Sequence, residues 1–359
     1  MPAPPKMTSG RRVQVRAFGA LLLVILLAGP AFAQAPAYPG ATWTRTSSPE
    51  QLGWSSGKLK EAKAYAATIN TAALMVVVNG TVLDEWGETA KRFNVHSIRK
   101  SFLSALYGIQ VREGRIHLST TLADLGIDDR GSLTGLEKGA TVADLLKARS
   151  GIYHPALYET PEMAAGRPAR GSYSPGAFWY YNNWDFNALG TIYEQATKTS
   201  IFEEFKSRIA DPLEMEDFRI ADGSYVRGPE SIHAAYPFRM TAGDMARFGL
   251  LYLRGGQWRG RSVVPREWVE ESTRAFSDLG QSGGYGYLWW VAPNGGPHFT
   301  SSYFNGRVFS ARGAGGHFIV VVPYLDLVVV HRVDTDVQGR QVTNSQFGHL
   351  MQLILDARR

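Results

Sequence analysis

Apolar positions along this chain form β-branched blocks near its two ends and helical stripes in between. Residues 73–78 read Ala-Leu-Met-Val-Val-Val and stop at Asn79-Gly80, after which Thr81-Val82-Leu83 resumes the run. Two apolar runs joined by Asn-Gly predict a hairpin with a type I′ turn, since both central residues then need positive φ. A second hairpin is predicted where residues 318–322 and 327–333 flank Pro323-Tyr324-Leu325-Asp326. Those β-branched runs lack polar alternation, as expected of strands covered on both faces. Helical spacing appears over residues 59–69, 101–111, 142–148, 186–194, 201–209 and 242–253. It returns at 344–357, where Phe347, Leu350, Met351 and Ile354 share one face. Strands at both ends with helices between do not alternate β-α-β-α, which argues against a doubly wound parallel sheet. The pattern predicts an α+β fold: an antiparallel sheet formed from both termini (about 51–95 and 300–359) with a mostly helical region inserted (about 96–299).

Composition narrows the classes. The chain has 359 residues, 44% hydrophobic and 19% charged, with 38 Gly, 18 Pro and no Cys. That balance excludes intrinsic disorder, collagen and coiled coil. Without Cys there is no disulfide, iron–sulfur cluster, thiolate zinc site, cysteine nucleophile or lipid anchor. A formal charge of +6 first suggests a polyanionic partner. Residues 1–33 alter that picture. They carry Lys6, Arg11, Arg12 and Arg16, no acidic residue, an apolar run at 17–28, and then Ala31-Phe32-Ala33. A basic segment, a short apolar core and an A-x-A site predict a secretory signal peptide over 1–33. Its apolar run is about twelve residues, against roughly twenty needed to span a bilayer. Removing those four cations leaves 34 basic against 32 acidic residues, a net +2. An exported protein, periplasmic or secreted, with no stable membrane anchor and no nucleic-acid partner is expected. Residues 34–50, rich in Ala, Pro, Ser and Thr, read as an extended lead-in, and 51–359 as one domain.

Two short motifs suggest chemistry. Ser97-Ile98-Arg99-Lys100 precedes a stripe through Phe102, Leu103, Leu106 and Ile109, so Ser97 and Lys100 share a helix face. A lysine desolvated there loses basicity and can accept the serine proton, while the helix N-terminus offers N–H groups to an oxyanion. With 25 Ser and 10 Lys in the chain, chance supplies roughly 0.7 such matches. Ser55-Ser56-Gly57-Lys58 also fits and reads as a helix cap. The second motif is Tyr181-Asn182-Asn183: a phenol can relay protons to a leaving group, and an amide can orient lysine and substrate. Tyr180-Tyr181-Asn182 and Tyr303-Phe304-Asn305 match the same spacing. A rival nucleophile, Ser282 in Gly280-Gln281-Ser282-Gly283-Gly284, requires a strand before it and a helix after it, which its surroundings do not predict. No metal-ligand spacing, P-loop or dinucleotide fingerprint is present, so no cofactor or metal is expected.

Taken in order, these segments resemble the serine β-lactamase and penicillin-binding protein superfamily. The likeness is to its class C-like branch of esterases, D-aminopeptidases, DD-peptidases and 6-aminohexanoate-dimer hydrolases. His96-Ser97-Ile98-Arg99-Lys100-Ser101-Phe102 is similar to the nucleophile helix of that superfamily. Thr141-Val142-Ala143-Asp144-Leu145-Leu146 with Arg149-Ser150-Gly151-Ile152 is similar to its T-V-x-D-L-L-x-H-T-S-G stretch. Tyr181-Asn182-Asn183, Pro212-Leu213-Glu214-Met215, residues 242–249 and Gly284-Tyr285-Gly286-Tyr287 fall in family order. The resemblance implies a β-lactamase-like fold and a serine hydrolase working through a Ser97 acyl-enzyme. In it either Lys100 or Tyr181 is the base, Tyr181 protonates the leaving group, and Asn183 orients lysine and substrate.

The third family motif, K-T-G or H-T-G, corresponds to Ala311-Arg312-Gly313-Ala314. The Ala314 N–H is expected to join the Ser97 N–H in an oxyanion hole, with Gly313 allowing close approach. Ala311 replaces the usual cation; Arg312 or His317 is its substitute, or Arg312 is a solvated strand-end charge. Recognition is therefore expected to rest on apolar and aromatic contact near Trp179, Tyr180 and Trp184, favouring esters or small amides over β-lactams. The alternative is a degenerate, non-catalytic module that binds cell-wall or peptide ligands.

Overall fold

The structure, a computed structural model, describes residues 1–6, 10 and 36–359. The apolar core and cleavage site of the expected signal peptide lie outside the described residues. The chain divides into two units, Met1–Ala35 and Pro36–Arg359. Described positions of the first carry no helix or strand; all elements below belong to the second.

One eight-stranded sheet organises that unit. Its strands are β1 (Ala73–Val78), β2 (Thr81–Gly87), β3 (Ser277–Asp278), β4 (Gly284–Tyr285), β5 (Trp290–Ala292), β6 (Val308–Gly313), β7 (His317–Val322) and β8 (Leu327–Arg332). They run in the order β2-β1-β8-β7-β6-β5-β4-β3, with every neighbouring pair antiparallel. Ala73 pairs with Arg332 and Val78 with Leu327, so the N-terminal hairpin is hydrogen-bonded to the C-terminal one. This is the α+β arrangement expected from the pattern. The first turn has Asn79 at φ 46° and Gly80 at φ 69°, the two positive angles a type I′ turn requires. Residues 44–46 run beside β2, with Thr46 N–H donating to Val82 O at 3.0 Å and Val82 N–H to Thr44 O at 2.9 Å. The lead-in thereby caps an otherwise open sheet edge.

The longer helices are α1 (Ser56–Ala66), α2 (Arg99–Arg112), α3 (Asn183–Thr197), α4 (Ala242–Leu253) and α5 (Asn344–Asp356). Leu74, Val76, Val320 and Val329 face α1 and α5, meeting Leu59, Phe347 and Met351. Met75, Val77, Ile319 and Val328 face the opposite layer, which includes Met245 and Phe248 of α4. Both sheet faces are thus covered, which explains the unbroken apolar strands. At Gly249, α4 approaches so closely that a Cβ would stand 2.6 Å from Val328 Cγ1. Helix α2 is buried from Arg99 to Gln110, as befits a central helix packed on all sides.

The inserted region also supplies β3, β4 and β5. These strands are two or three residues long, too short for a period-two pattern to register. The stripe at 201–209 divides into an α-helix over Ile201–Phe205 and a π-helical turn over Lys206–Ala210. Among the described residues no helix is long and apolar enough to cross a membrane.

Candidate active site

Ser97 sits two residues before the first residue of α2, in a 3-10 turn over His96–Ile98 that continues into the helix. His96 enters that turn at φ 48°, a left-handed conformation that costs a non-glycine residue of order 1–3 kcal/mol. Its amide donates to Asn94 Oδ1 at 2.9 Å, fixing the entry. The consequence is geometric: Ser97 faces a cavity while the helix after it is enclosed from Arg99 to Gln110.

Lys100, 1% exposed, donates from Nζ to Ser97 Oγ at 2.6 Å. Its Nζ lies 4.8 Å from the Tyr181 ring centroid and 4.9 Å from that of Phe186. Burial, with the neighbouring Arg99 charge, holds its pKa well below the ordinary lysine value. Burial pushes the Tyr181 phenol the other way, up to about 12, opposed by hydrogen bonding to Ser97 and the charges of Arg99 and Arg312. The two groups are therefore poised oppositely: a lysine that sheds its proton easily beside a tyrosine that keeps one. Pairs separated in this way assign base and acid.

Ser97 and Tyr181 border a cavity of about 620 Å³ together with Arg312, Gly313 and Ala314. Strand β6 reaches the nucleophile because Gly313 has no side chain. A Cβ there would lie 2.5 Å from Val95 O and 3.4 Å from His96 Cβ. Ala314 follows at the strand end, exposed, in the turn back to β7.

Arg312 is not a solvated strand-end charge. Its guanidinium stacks 4.7 Å from the Trp290 ring centroid and 4.4 Å from that of Phe299. Nε donates to Ser310 Oγ at 3.0 Å and Nη2 to His298 O at 2.7 Å. Desolvation lowers its pKa to about 9, so it remains a cation at neutral pH. Ala311, by contrast, is buried in the core, 1% exposed.

Asn183 does not bond to Lys100. Its Nδ2 donates to Tyr158 O at 2.6 Å, while Oδ1 is buried without a partner among the described residues. It therefore steadies the Tyr158 backbone, which stands at φ 66°. Asn182 caps α3, accepting from Trp184 N–H at 3.1 Å and donating to Asp185 Oδ1 at 2.9 Å. Asp185 also takes the Ser150 hydroxyl at 2.5 Å, tying the Arg149-Ser150-Gly151 segment beneath the Tyr181 turn.

The aromatic contacts fall elsewhere than expected. Trp184 is fully buried and donates from Nε1 to Asp129 Oδ2 at 2.7 Å. Tyr180 donates its hydroxyl to Met163 O at 2.5 Å. Trp179 packs behind the wall, 6.0 Å from Trp290. The cavity wall itself includes Tyr158, Trp290 and Phe318, none of them among the sequence candidates. Of the other motif matches, Ser55 caps α1, accepting from Lys58 N–H. Tyr303 is a surface residue, 63% exposed. Ser282 lies at the cavity rim in a 3-10 turn, followed by β4 rather than a helix, so no nucleophile elbow is formed.

The beta-lactamase family model matches residues 59–343, which hold the serine, the lysine, the tyrosine and the β6 strand. The chain belongs to the beta-lactamase family. Members of this family are generally serine hydrolases. Three solved structures show the same fold. A Bacillus anthracis protein described as a candidate 6-aminohexanoate-dimer hydrolase matches at 23% identity and TM-score 0.62, over 80% of each chain. A Mycobacterium bovis beta-lactamase matches at 22% identity and TM-score 0.59, over 82% of this chain and 97% of that one. A penicillin-binding protein homologue from Caulobacter crescentus matches at 15% and 0.61, over 88% and 99%. At these identities the likeness is one of fold. Within the family frame, residues 242–249 act as a strut: Arg247 is buried and donates to Leu213 O at 3.0 Å, holding the 212–215 segment against α4.

Proposed function

We propose that this beta-lactamase-family chain is an exported hydrolase of esters or small amides, acting through an acyl-enzyme on Ser97. The observation that carries the reading is the buried Lys100 Nζ at 2.6 Å from Ser97 Oγ. Neutral Lys100 takes the serine proton as Oγ attacks the acyl carbon. The N–H groups of Ser97 and Ala314 receive the oxyanion, and Tyr181, which holds its proton at neutral pH, protonates the leaving group. Water then attacks the acyl-enzyme, and deacylation uses the same Lys–Tyr pair. Export rests on the signal-like residues 1–33.

Substrate preference follows from the wall. Tyr158, Trp290 and Phe318 offer aromatic contact, and two of the N–H-bearing nitrogens of Arg312, Nε and Nη2, already donate to Ser310 and His298. A panel of a nitrophenyl ester, a chromogenic cephalosporin, a D-Ala-D-Ala peptide and a 6-aminohexanoate dimer tests the reading. The ester or the small amide should turn over fastest. Cephalosporin turnover equal to the best ester contradicts the preference, and no turnover of any substrate favours a non-catalytic binding module.

A further inference from the structure

Behind the nucleophile turn runs a chain of hydrogen bonds that begins at a group with no choice of role. Arg332 is fully buried and donates from Nε to His317 Nδ1 at 3.1 Å. Its remaining N–H groups go to Met240 O, Met245 Sδ, Phe93 O and Asn94 O. A guanidinium only donates, so His317 Nδ1 is an acceptor and, in the neutral ring, Nε2 carries the proton. That proton points to Thr335 Oγ1 at 3.4 Å. Thr335 has one proton of its own, and its shorter bond, 2.8 Å, runs to His96 Nε2. With Nε2 accepting, neutral His96 carries its proton on Nδ1, which faces the Tyr158 hydroxyl at 3.5 Å. Both rings are kept neutral by burial and the Arg332 charge, His96 down to about 4.

The far end is fixed independently. Asn94 Oδ1 accepts the His96 amide, so the same side chain presents Nδ2 to the Tyr158 hydroxyl, at 2.8 Å. Tyr158 Oη then accepts from two donors, and its own proton has no taker in the network. The residue lines the cavity and is held at positive φ, with its carbonyl pinned by Asn183.

We infer that Tyr158 is a specificity-determining residue whose hydroxyl donates into the cavity, to an oxygen acceptor on the substrate away from the scissile carbonyl. Arg332, His317, Thr335 and His96 are positioning residues that impose this direction. Acyl substrates bearing a second carbonyl or carboxylate oxygen are the class it reads. The inference rests on the cavity being the acyl-substrate site proposed above.

The direct test is long-range proton–nitrogen NMR of the protein labelled with nitrogen-15 histidine. His317 should be protonated at Nε2 and His96 at Nδ1. Protonation of His96 at Nε2 overturns the inference, because Tyr158 is then free to donate to Nδ1. The kinetic test compares p-nitrophenyl acetate with the p-nitrophenyl ester of N-acetylalanine, which adds an amide oxygen. Tyr158→Phe should raise KM for the second ester about tenfold more than for the first, with kcat changed equally for both. Thr335→Val, which breaks the chain at a distance from the cavity, should shift the KM ratio in the same direction. Equal KM changes for the two esters in both variants overturn the inference. A protein that cleaves neither ester but shows these tautomers overturns the functional reading and leaves the donor assignment standing.

Discussion

Replacing Gly313 by Ala puts a Cβ 2.5 Å from Val95 O, 3.1 Å from His317 Cβ and 3.4 Å from His96 Cβ. The first contact is with backbone and falls roughly 1 Å short of van der Waals separation. No rotamer relieves it, so β6 must withdraw from the turn that carries Ser97. Gly313 lies outside the positive-φ region, which makes the perturbation purely steric. Overpacking of this kind costs about 1–3 kcal/mol, a fall of several °C in Tm for a chain of this size. The catalytic effect is larger. The two proposed oxyanion donors lie on opposite sides of the gap, on the turn and on the strand, so withdrawal misplaces one of them. A shift approaching 1 Å costs about 100-fold in rate. The assay is p-nitrophenyl acetate hydrolysis beside a thermal melt, with Gly135→Ala as control, since a Cβ there meets nothing within 4 Å. A folded Gly313→Ala protein with kcat/KM within threefold of the parent would refute the pairing of strand and turn.

Other outcomes follow from the same geometry. Lys100→Ala and Tyr181→Phe should each lower acylation by about 10²–10⁴-fold, and the double variant should be little worse than the worse single one; multiplying losses in stopped-flow acylation would show that the two act separately. Stability should rise with pH between about 4 and 6.5. His96 and His331 are held at about 4 by burial, and His233, His298 and His317 are also lowered, so the unfolded chain binds more protons through this window. Asp84, Asp185 and Asp244 are raised and act oppositely. Lys100, also lowered by burial, adds to the histidines, and the three carboxyls offset part of their effect, leaving a net rise of stability with pH. A melting temperature flat from pH 6.5 to 4 would contradict it. Ser282→Ala should leave ester hydrolysis unchanged, checked by the same nitrophenyl assay.

Local rules carried the sequence reading where the chemistry is local. Ser97 and Lys100 are three residues apart on a helical rise, and Asn79-Gly80 closes its hairpin by φ preference alone. The cavity wall follows no such rule. Tyr158, Trp290 and Phe318 come from a loop and two strands: the sheet order sets the strands on either side of β6, and bonds from Asn94 and Asn183 hold the loop residue. Trp184 misled by nearness: three residues after Tyr181 it has already entered α3, which turns its indole toward Asp129. Sequence alone left Arg312 open between a site role and a solvated charge because the rings that enclose it, Trp290 and Phe299, are distant in sequence. Asn183 has the residue type expected of the site but spends its amide on the Tyr158 carbonyl, a contact that needs the 152–160 loop in place.

The central claim is that Ser97 is the nucleophile, and covalent labelling reads it most directly. The protein is incubated with a fluorophosphonate probe, digested, and its peptides mapped by mass spectrometry. The account predicts one adduct, on the peptide containing Ser97, absent in Ser97→Ala and slowed in Lys100→Ala. An adduct on Ser282, or undiminished labelling of Ser97→Ala, would contradict it.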